Sequence, residues 1–315
     1  MPLPTAAMEV LPIHVSTRLD ERRIVIDAPA KLNLGLEVIG RRDDGFHEIA
    51  TIFVAIDLYD RLTLSAADEL ELSCDDDSLA GAENLALHAL RLLRETTNYR
   101  GGARINLGKR IPAAAGLGGA SSDAAAALLG GSELWHQEIS NARLHDLAAR
   151  LGSDVPFFLH GGCAIGRGRG DLLEPLPLPA ELWFVVVVPD VIIPAKTAGL
   201  YARLSPDDFS DGSLITAQAA RVRSGDAPDV ALLGNTFARP LYAMVPELAT
   251  LPNIMRDAGA ESVAVSGAGP AHYAVVGDEA EAEVVATRLR ERLGDRTQVI
   301  VASPVGPRAR SPRPL

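Results

Sequence analysis

The run Gly116-Leu-Gly-Gly-Ala-Ser-Ser122 sets three glycines and two hydroxyls directly ahead of an alanine-rich stretch. A phosphate chain needs several N–H donors converging from one direction, and a glycine-rich loop that opens a helix supplies backbone amides together with the positive end of the helix dipole. Gly116, Gly118 and Gly119 allow the backbone to approach an anion at positive φ, while Ser121 and Ser122 offer hydroxyls to a phosphate or a metal ion. The same residues also suit a flexible turn capped by Ser122, and the segment alone does not decide between the two.

Inspection excludes several other phosphate sites. There is no GxxxxGK[ST], Ser121 stands where a dinucleotide fingerprint needs its third glycine, and the catalytic-loop and metal-binding triplets of protein kinases do not occur. Gly166-Arg-Gly-Arg-Gly170 reads as a flexible connection between strands. The 315 residues are 47% hydrophobic, enough for two domains with separate cores. Thirty basic against 41 acidic side chains give a net charge of −11, which opposes nucleic-acid binding by bulk electrostatics and favours a small partner. An anionic partner would need local basic residues, and Lys31, Lys109, Arg110, Arg167 and Arg169 are the candidates. Cys74 and Cys163 stand far apart without a CxxC or a His cluster, which fits a reducing cytoplasm and gives no metal-ligand assignment. No signal peptide or membrane-spanning run is visible.

Elements must place the glycine run. Short alternating segments at Ile24–Ile26, Leu32–Val38, Ile49–Leu58 and Leu62–Leu64 read as strands, with a hairpin turn at Asp44-Gly45. Asn84 to Arg94 has helical spacing, Ala103 to Leu107 is a strand, and the glycine run then enters a helix. A second helix spans Asn141 to Leu151. A proline-rich crossing, Pro175 to Pro179, marks the domain boundary. Beyond it come a buried strand Trp183–Val188, helical segments from Thr197 and between Asn235 and Asp257, and strands at Ser262–Val265, Tyr273–Val276 and Gln298–Ala302, with a helix Glu279–Leu293 between the last two. This pattern predicts two α+β domains rather than a doubly wound sheet. Residues 1–20 read as a poorly ordered leader, 21–178 as the nucleotide domain, 179–304 as the substrate domain and 305–315 as a poorly ordered tail.

Ala28-Pro-Ala-Lys-Leu-Asn-Leu34, Pro112 through Ala125, Leu151-Gly-Ser-Asp-Val-Pro156 and Ser266-Gly-Ala-Gly-Pro270 occur in the order found in GHMP kinases, and the chain resembles that family over most of its length. The resemblance implies a ribosomal protein S5 domain 2-like N-terminal domain, a ferredoxin-like C-terminal domain and an active site in the cleft between them. Asp44-Gly-Phe-His-Glu48 narrows it to the branch that uses ATP and Mg²⁺ to phosphorylate the 2-hydroxyl of a cytidine diphosphate-linked methylerythritol, in the non-mevalonate isoprenoid pathway.

By the same resemblance, Asp154 is the acidic catalytic residue and Lys31 the lysine beside it, Asn33 helps to fix the acceptor hydroxyl, and Phe46, His47 and Tyr201 hold the cytosine. Asn84, Leu85 and Lys109 line the adenine pocket. The phosphate loop is Pro112, Ala113, Ala114, Ala115, Gly116, Leu117, Gly118, Gly119, Ala120, Ser121 and Ser122. Read as lone residues, Asp154 is a helix cap ahead of Pro156, Asn84 another cap, Lys31 and Lys109 solvated charges, and Phe46 a packing residue. Phe46 stands where relatives carry Tyr, and Ala113, Ala114, Ala115 and Ala120 replace glycines common among them. Ser266 to Pro270 implies a second glycine turn over the substrate. Other GHMP acceptors (homoserine, mevalonate, sugars) and a non-catalytic sugar and ATP sensor are the alternatives. The expected chain is a cytoplasmic monomer or homodimer with no nucleic-acid or membrane partner.

Overall fold

The computed structural model describes residues 14–18, 21–179 and 182–306. Its spine is a hairpin of two long strands, β2 (Glu21–Arg41) and β3 (His47–Ala67), preceded by β1 (His14–Arg18). The first sheet adds β4 (Leu70–Cys74), β5 (Gly102–Gly108), β6 (Cys163–Arg167) and β7 (Leu172–Leu176). Its order is β1-β2-β3-β5-β4, with β6 pairing β3 and β7 pairing β6; among the described residues of this sheet β4 and β5 pair in parallel and the other neighbours antiparallel. Four helices cover one face: α1 (Leu85–Thr97), α2 (Gly119–Leu134), α3 (Asn141–Leu151) and α4 (Val155–His160). Asn84 caps α1 by accepting from the Ala86 amide, and Ser140 caps α3 by accepting from the Arg143 amide, which satisfies donors left open at a helix start.

The second sheet has the order β11-β8-β10-β9, from β8 (Trp183–Pro189), β9 (Ala264–Val265), β10 (His272–Val276) and β11 (Thr297–Ala302). The helices of this half are α5 (Lys196–Tyr201), α6 (Ser213–Arg223), α7 (Ala238–Met244), α8 (Leu251–Asp257) and α9 (Glu279–Leu293). Strand β8 is apolar throughout because both its faces are covered. Val185 and Val187 pack with Met255, Val285 and Leu289 beneath α8 and α9, whereas Phe184, Val186 and Val188 join Leu32, Leu34, Ile52, Val54 and Ile56 in a core between the two sheets.

A break in β2 aims the site. Ile24, Ile26 and Ala28 pack in the helix-side core, while Ala30, Leu32 and Leu34 pack in the core between the sheets. The β2–β3 register shifts between Pro29 and Ala30, where that change occurs. Lys31 and Asn33, two apart on the opposite face from Leu32, thereby share one direction.

The expected leader and tail are corrected in part. Residues 14–18 pair with 21–25 and extend the first sheet, and at the start of the tail the Val305 amide donates to the Ala55 carbonyl at 2.9 Å. Residues 1–13, 19–20 and 307–315 of those segments lie outside the described residues. Residues 166–170, read as a connection between strands, span the end of β6 and the turn to β7, and β7 runs into the expected proline-rich crossing at Pro175 and Leu176. Cys74 and Cys163 are free thiols. Among the described residues no helix is long and apolar enough to cross a membrane.

Candidate active site

The glycine run leaves β5 and enters α2 through Gly118, the N-cap, at φ 77°. Gly116 has φ 88°, and a Cβ there would stand 2.3 Å from the Ser266 carbonyl oxygen; at Gly118 it would meet the Phe158 ring at 2.6 Å. Both positions need glycine for backbone conformation and for space. The loop packs against the turn Ser266–Pro270: the Ala271 amide donates to the Ala115 carbonyl at 3.0 Å and the Ser266 hydroxyl to the Gly116 carbonyl at 3.0 Å. The hydroxyl of Ser122, buried at the start of α2, has no hydrogen-bond partner.

Lys31, 3% exposed, sits under the loop with its amide donating to the Leu117 carbonyl at 2.9 Å. Its ammonium donates to Asn33 Oδ1 at 2.6 Å and lies 3.5 Å from Asp154 Oδ2. Burial lowers the Lys31 pKa, and the Asp154 charge opposes that shift. Asn33 is held in turn, donating to the Thr51 hydroxyl at 2.8 Å, which donates to the Gly35 carbonyl at 2.7 Å. Asp154 precedes α4 at its N-cap but makes no side-chain cap bond there, so its carboxylate is directed to Lys31 rather than to the helix. Lys31 and Asp154 are thus brought together beside the loop, and Asn33 orients the lysine.

Around the hairpin the structure departs from the expected grouping. His47 stacks on Tyr201, with ring centroids 4.5 Å apart and 21° between the planes. Phe46 is 52% exposed and lies under the Arg169 guanidinium at 4.8 Å. Phe46 lies in the bend before β3 and His47 is the first residue of that strand. Burial and the charge of Asp154 push the Tyr201 phenol up to about 12, and burial lowers the His47 pKa.

The nucleotide-side expectations are also redrawn. Lys109 is not a solvated charge: its ammonium pairs with Asp60, which is fully buried, and with Asp123 Oδ2 at 2.8 Å. Burial works against the charged amine, but the Asp123 and Asp60 carboxylates outweigh it and the Lys109 pKa rises; burial and the Asp60 charge raise that of Asp123 against the pull of Lys109. Asp60 Oδ1 accepts from the Arg110 and Ile111 amides at 2.6 and 2.8 Å, fixing the backbone just before the loop. Asn84 spends its side chain on the Ala86 amide and the Leu79 carbonyl, and Leu85 packs against the helix-side core. A cleft of about 740 Å³ opens between the sheets, lined by Leu79, Lys109, Pro112, Ala113, Val188 and Ile192 among others. Asn84 and Leu85 are not in its wall, and Lys31 and Asp154 lie outside it.

Sequence reasoning missed Lys196, whose ammonium donates to the Ala114 carbonyl at 2.5 Å and to that of Gly269. It also missed Asp60 and Thr51, for which neither spacing nor composition gave a signal.

Residues 84–162 match the model of the GHMP kinases N-terminal domain and residues 218–295 that of the GHMP kinases C-terminal domain. A 4-diphosphocytidyl-2-C-methyl-D-erythritol kinase of Dehalococcoides mccartyi is 37% identical over 281 residues, which is 89% of this chain and 98% of that one. The chain belongs to the 4-diphosphocytidyl-2-C-methyl-D-erythritol kinase family. A family member from Symbiobacterium thermophilum is 43% identical over 272 residues, covering 84% of this chain and 95% of its own. A crystal structure of a 4-(cytidine 5'-diphospho)-2C-methyl-D-erythritol kinase superposes with a TM-score of 0.74 at 37% identity, over 88% of this chain and 98% of the other. A homoserine kinase from Cytophaga hutchinsonii superposes nearly as well, at a TM-score of 0.73 and 20% identity over 94% of this chain and 98% of its own, and shares the fold. The two-domain α+β architecture of GHMP small-molecule kinases, expected from four ordered motifs, is the architecture found.

Proposed function

We propose that the chain transfers the γ-phosphoryl group of ATP to the 2-hydroxyl of 4-diphosphocytidyl-2-C-methyl-D-erythritol in the cytoplasm, giving the 2-phosphate and ADP. The observation that carries the reading is the Lys31–Asp154 pair, 3.5 Å apart and set against a glycine loop that opens a helix. In the transfer a bond forms between the acceptor oxygen and the γ-phosphorus while the bond from that phosphorus to the β–γ bridging oxygen breaks. The hydroxyl proton passes to Asp154 and the bridging electron pair leaves with ADP.

Positioning removes roughly 7–11 kcal/mol of such a barrier, against about 3–5 kcal/mol for general-base assistance of 10²–10⁴-fold. The loop amides and the Lys31–Asn33–Thr51 chain therefore contribute more than proton removal does. A carboxylate cannot fully ionise an alcohol of much higher pKa, so Asp154 takes the proton late, in a loose transition state. Lys31 pairs with Asp154 and offsets charge on the phosphoryl oxygens.

Among the described residues no group of three His, Cys, Asp or Glu side chains could hold a metal ion. Mg²⁺ is usually held by substrate phosphates and one or two protein oxygens; the unpartnered Ser122 hydroxyl, with Ser121, would hold it here. When bound, the ion supplies charge neutralisation on the phosphates. His47 and Tyr201 are the aromatic faces for the cytosine, and the cleft bordering Pro112 and Ala113 is the place for the nucleoside end of ATP.

A coupled ADP-release assay with the cytidine substrate, homoserine, mevalonate and galactose tests the proposal. Turnover is expected with the cytidine substrate above the other three. Faster turnover with another acceptor would overturn the substrate, and no ADP release with any of them would overturn the kinase reading.

A further inference from the structure

Every buried or half-buried lysine of the site but one has a carboxylate beside it. Lys31 has Asp154, and Lys109 has Asp60 and Asp123. Lys196, the first residue of α5, has none among the described residues; its ammonium rests on two backbone carbonyls, of Ala114 in the glycine loop and Gly269 in the Ser266–Pro270 turn. We propose that Lys196 is a phosphate-binding residue whose missing counter-charge is an anionic phosphate held where the two glycine turns meet. The inference rests on the reading of the chain as a nucleotide-using kinase and adds a ligand contact to it.

Three observations support it. Burial and the nearby charge of Lys31 pull the Lys196 amine down to about 8, as expected for a desolvated cation without an anion. Neutral carbonyls compensate a buried charge only in part, whereas a phosphate oxygen would supply a full charge and a charge-assisted hydrogen bond. Ala114 itself holds a left-handed φ of 53°, the kind of backbone strain that gathers at ligand clamps. Helix α5 also carries Tyr201, stacked on His47, so one short element reaches both the aromatic pair and the loop.

The phosphate has two sources, the tail of ATP or the diphosphate of the acceptor, and the test separates them. Calorimetric affinities of wild type, Lys196→Met and Lys196→Arg are compared for a non-hydrolysable ATP analogue against adenosine, and for CDP against cytidine. In Lys196→Met one phosphorylated ligand is expected to weaken by about tenfold or more, its nucleoside to be unchanged, and Lys196→Arg to recover part of the loss. Loss with the ATP analogue assigns the donor, and loss with CDP the acceptor. Equal weakening of nucleoside and nucleotide, or no weakening of either nucleotide, overturns the proposal. On wild type, independently of how the variants fold, amine acylation at Lys196 read by peptide mass mapping is expected to be suppressed by one of the two nucleotides. Labelling indifferent to both would refute the contact. Wild-type turnover measured alongside shows separately whether the kinase reading itself fails.

Discussion

Asp154 meets Lys31 at 3.5 Å from the N-cap position of α4, a place where an aspartate usually turns back to cap its own helix. Because the carboxylate is not used for capping, Asp154→Asn should leave the fold and ATP affinity nearly unchanged while kcat falls by about 10²–10⁴-fold. Coupled ADP release and equilibrium nucleotide binding measure the two separately. Turnover near that of the wild type would remove Asp154 from the chemistry.

Gly116→Ala would force a Cβ to 2.3 Å from the Ser266 carbonyl oxygen at a φ of 88°. The backbone penalty alone is about 1–2 kcal/mol, and the contact with backbone cannot be relieved by rotating a side chain. The variant should show a lowered urea midpoint and a raised KM for ATP. Ala120→Gly, at an exposed position in the first turn of α2, should leave that KM much closer to the wild-type value.

Asp60→Ala removes the acceptor for the Arg110 and Ile111 amides and one of the two carboxylates on Lys109. Breaking a buried pair from one side costs about 3–5 kcal/mol, so chemical denaturation should register a loss of that order. The part of the chain fixed by Asp60 leads into the glycine loop, and the KM for ATP should rise as well. A variant as stable as the wild type would mean that the pairing contributes little.

His272 is fully buried; the Pro270 carbonyl can only accept, so Nδ1 donates to it and Nε2 accepts from the Tyr242 hydroxyl, each at 2.9 Å. Burial pulls its pKa from 6.5 down to about 4. The unfolded chain takes up this proton below about pH 6.5 and the folded chain only below about 4, so stability falls as pH drops through that window. The loss amounts to about 3 kcal/mol, and urea midpoints at pH 7.5 and 4.5 measure it. In His272→Gln the difference between those midpoints should shrink, although the variant begins less stable.

Much of this was readable in the residues themselves. Apolar alternation located segments of β3 and a continuous apolar run located β8, and caps such as Asn84 located helix starts, because those signals are local. The ordered motifs named the glycine loop, Lys31 and Asp154 together. What stayed hidden depends on contacts between distant segments. Strand β1 is short and has few apolar residues, and glycines masked the β6–β7 hairpin. The partners of Lys109 come from β3 and α2, and the contact of Phe46 with Arg169 joins two segments far apart in the chain. Lys196 looked like an ordinary lysine because its two acceptors are main-chain atoms far away in the chain.

The bonds from Ala271 to Ala115 and from Ser266 to Gly116 tie the anion-gripping bend to the other half of the molecule. A fragment stopping before Trp183 would keep every glycine of that bend and still lose its roof. The grip is a property of both halves clasped together, so any motion that parts them also slackens the hold on the phosphate tail.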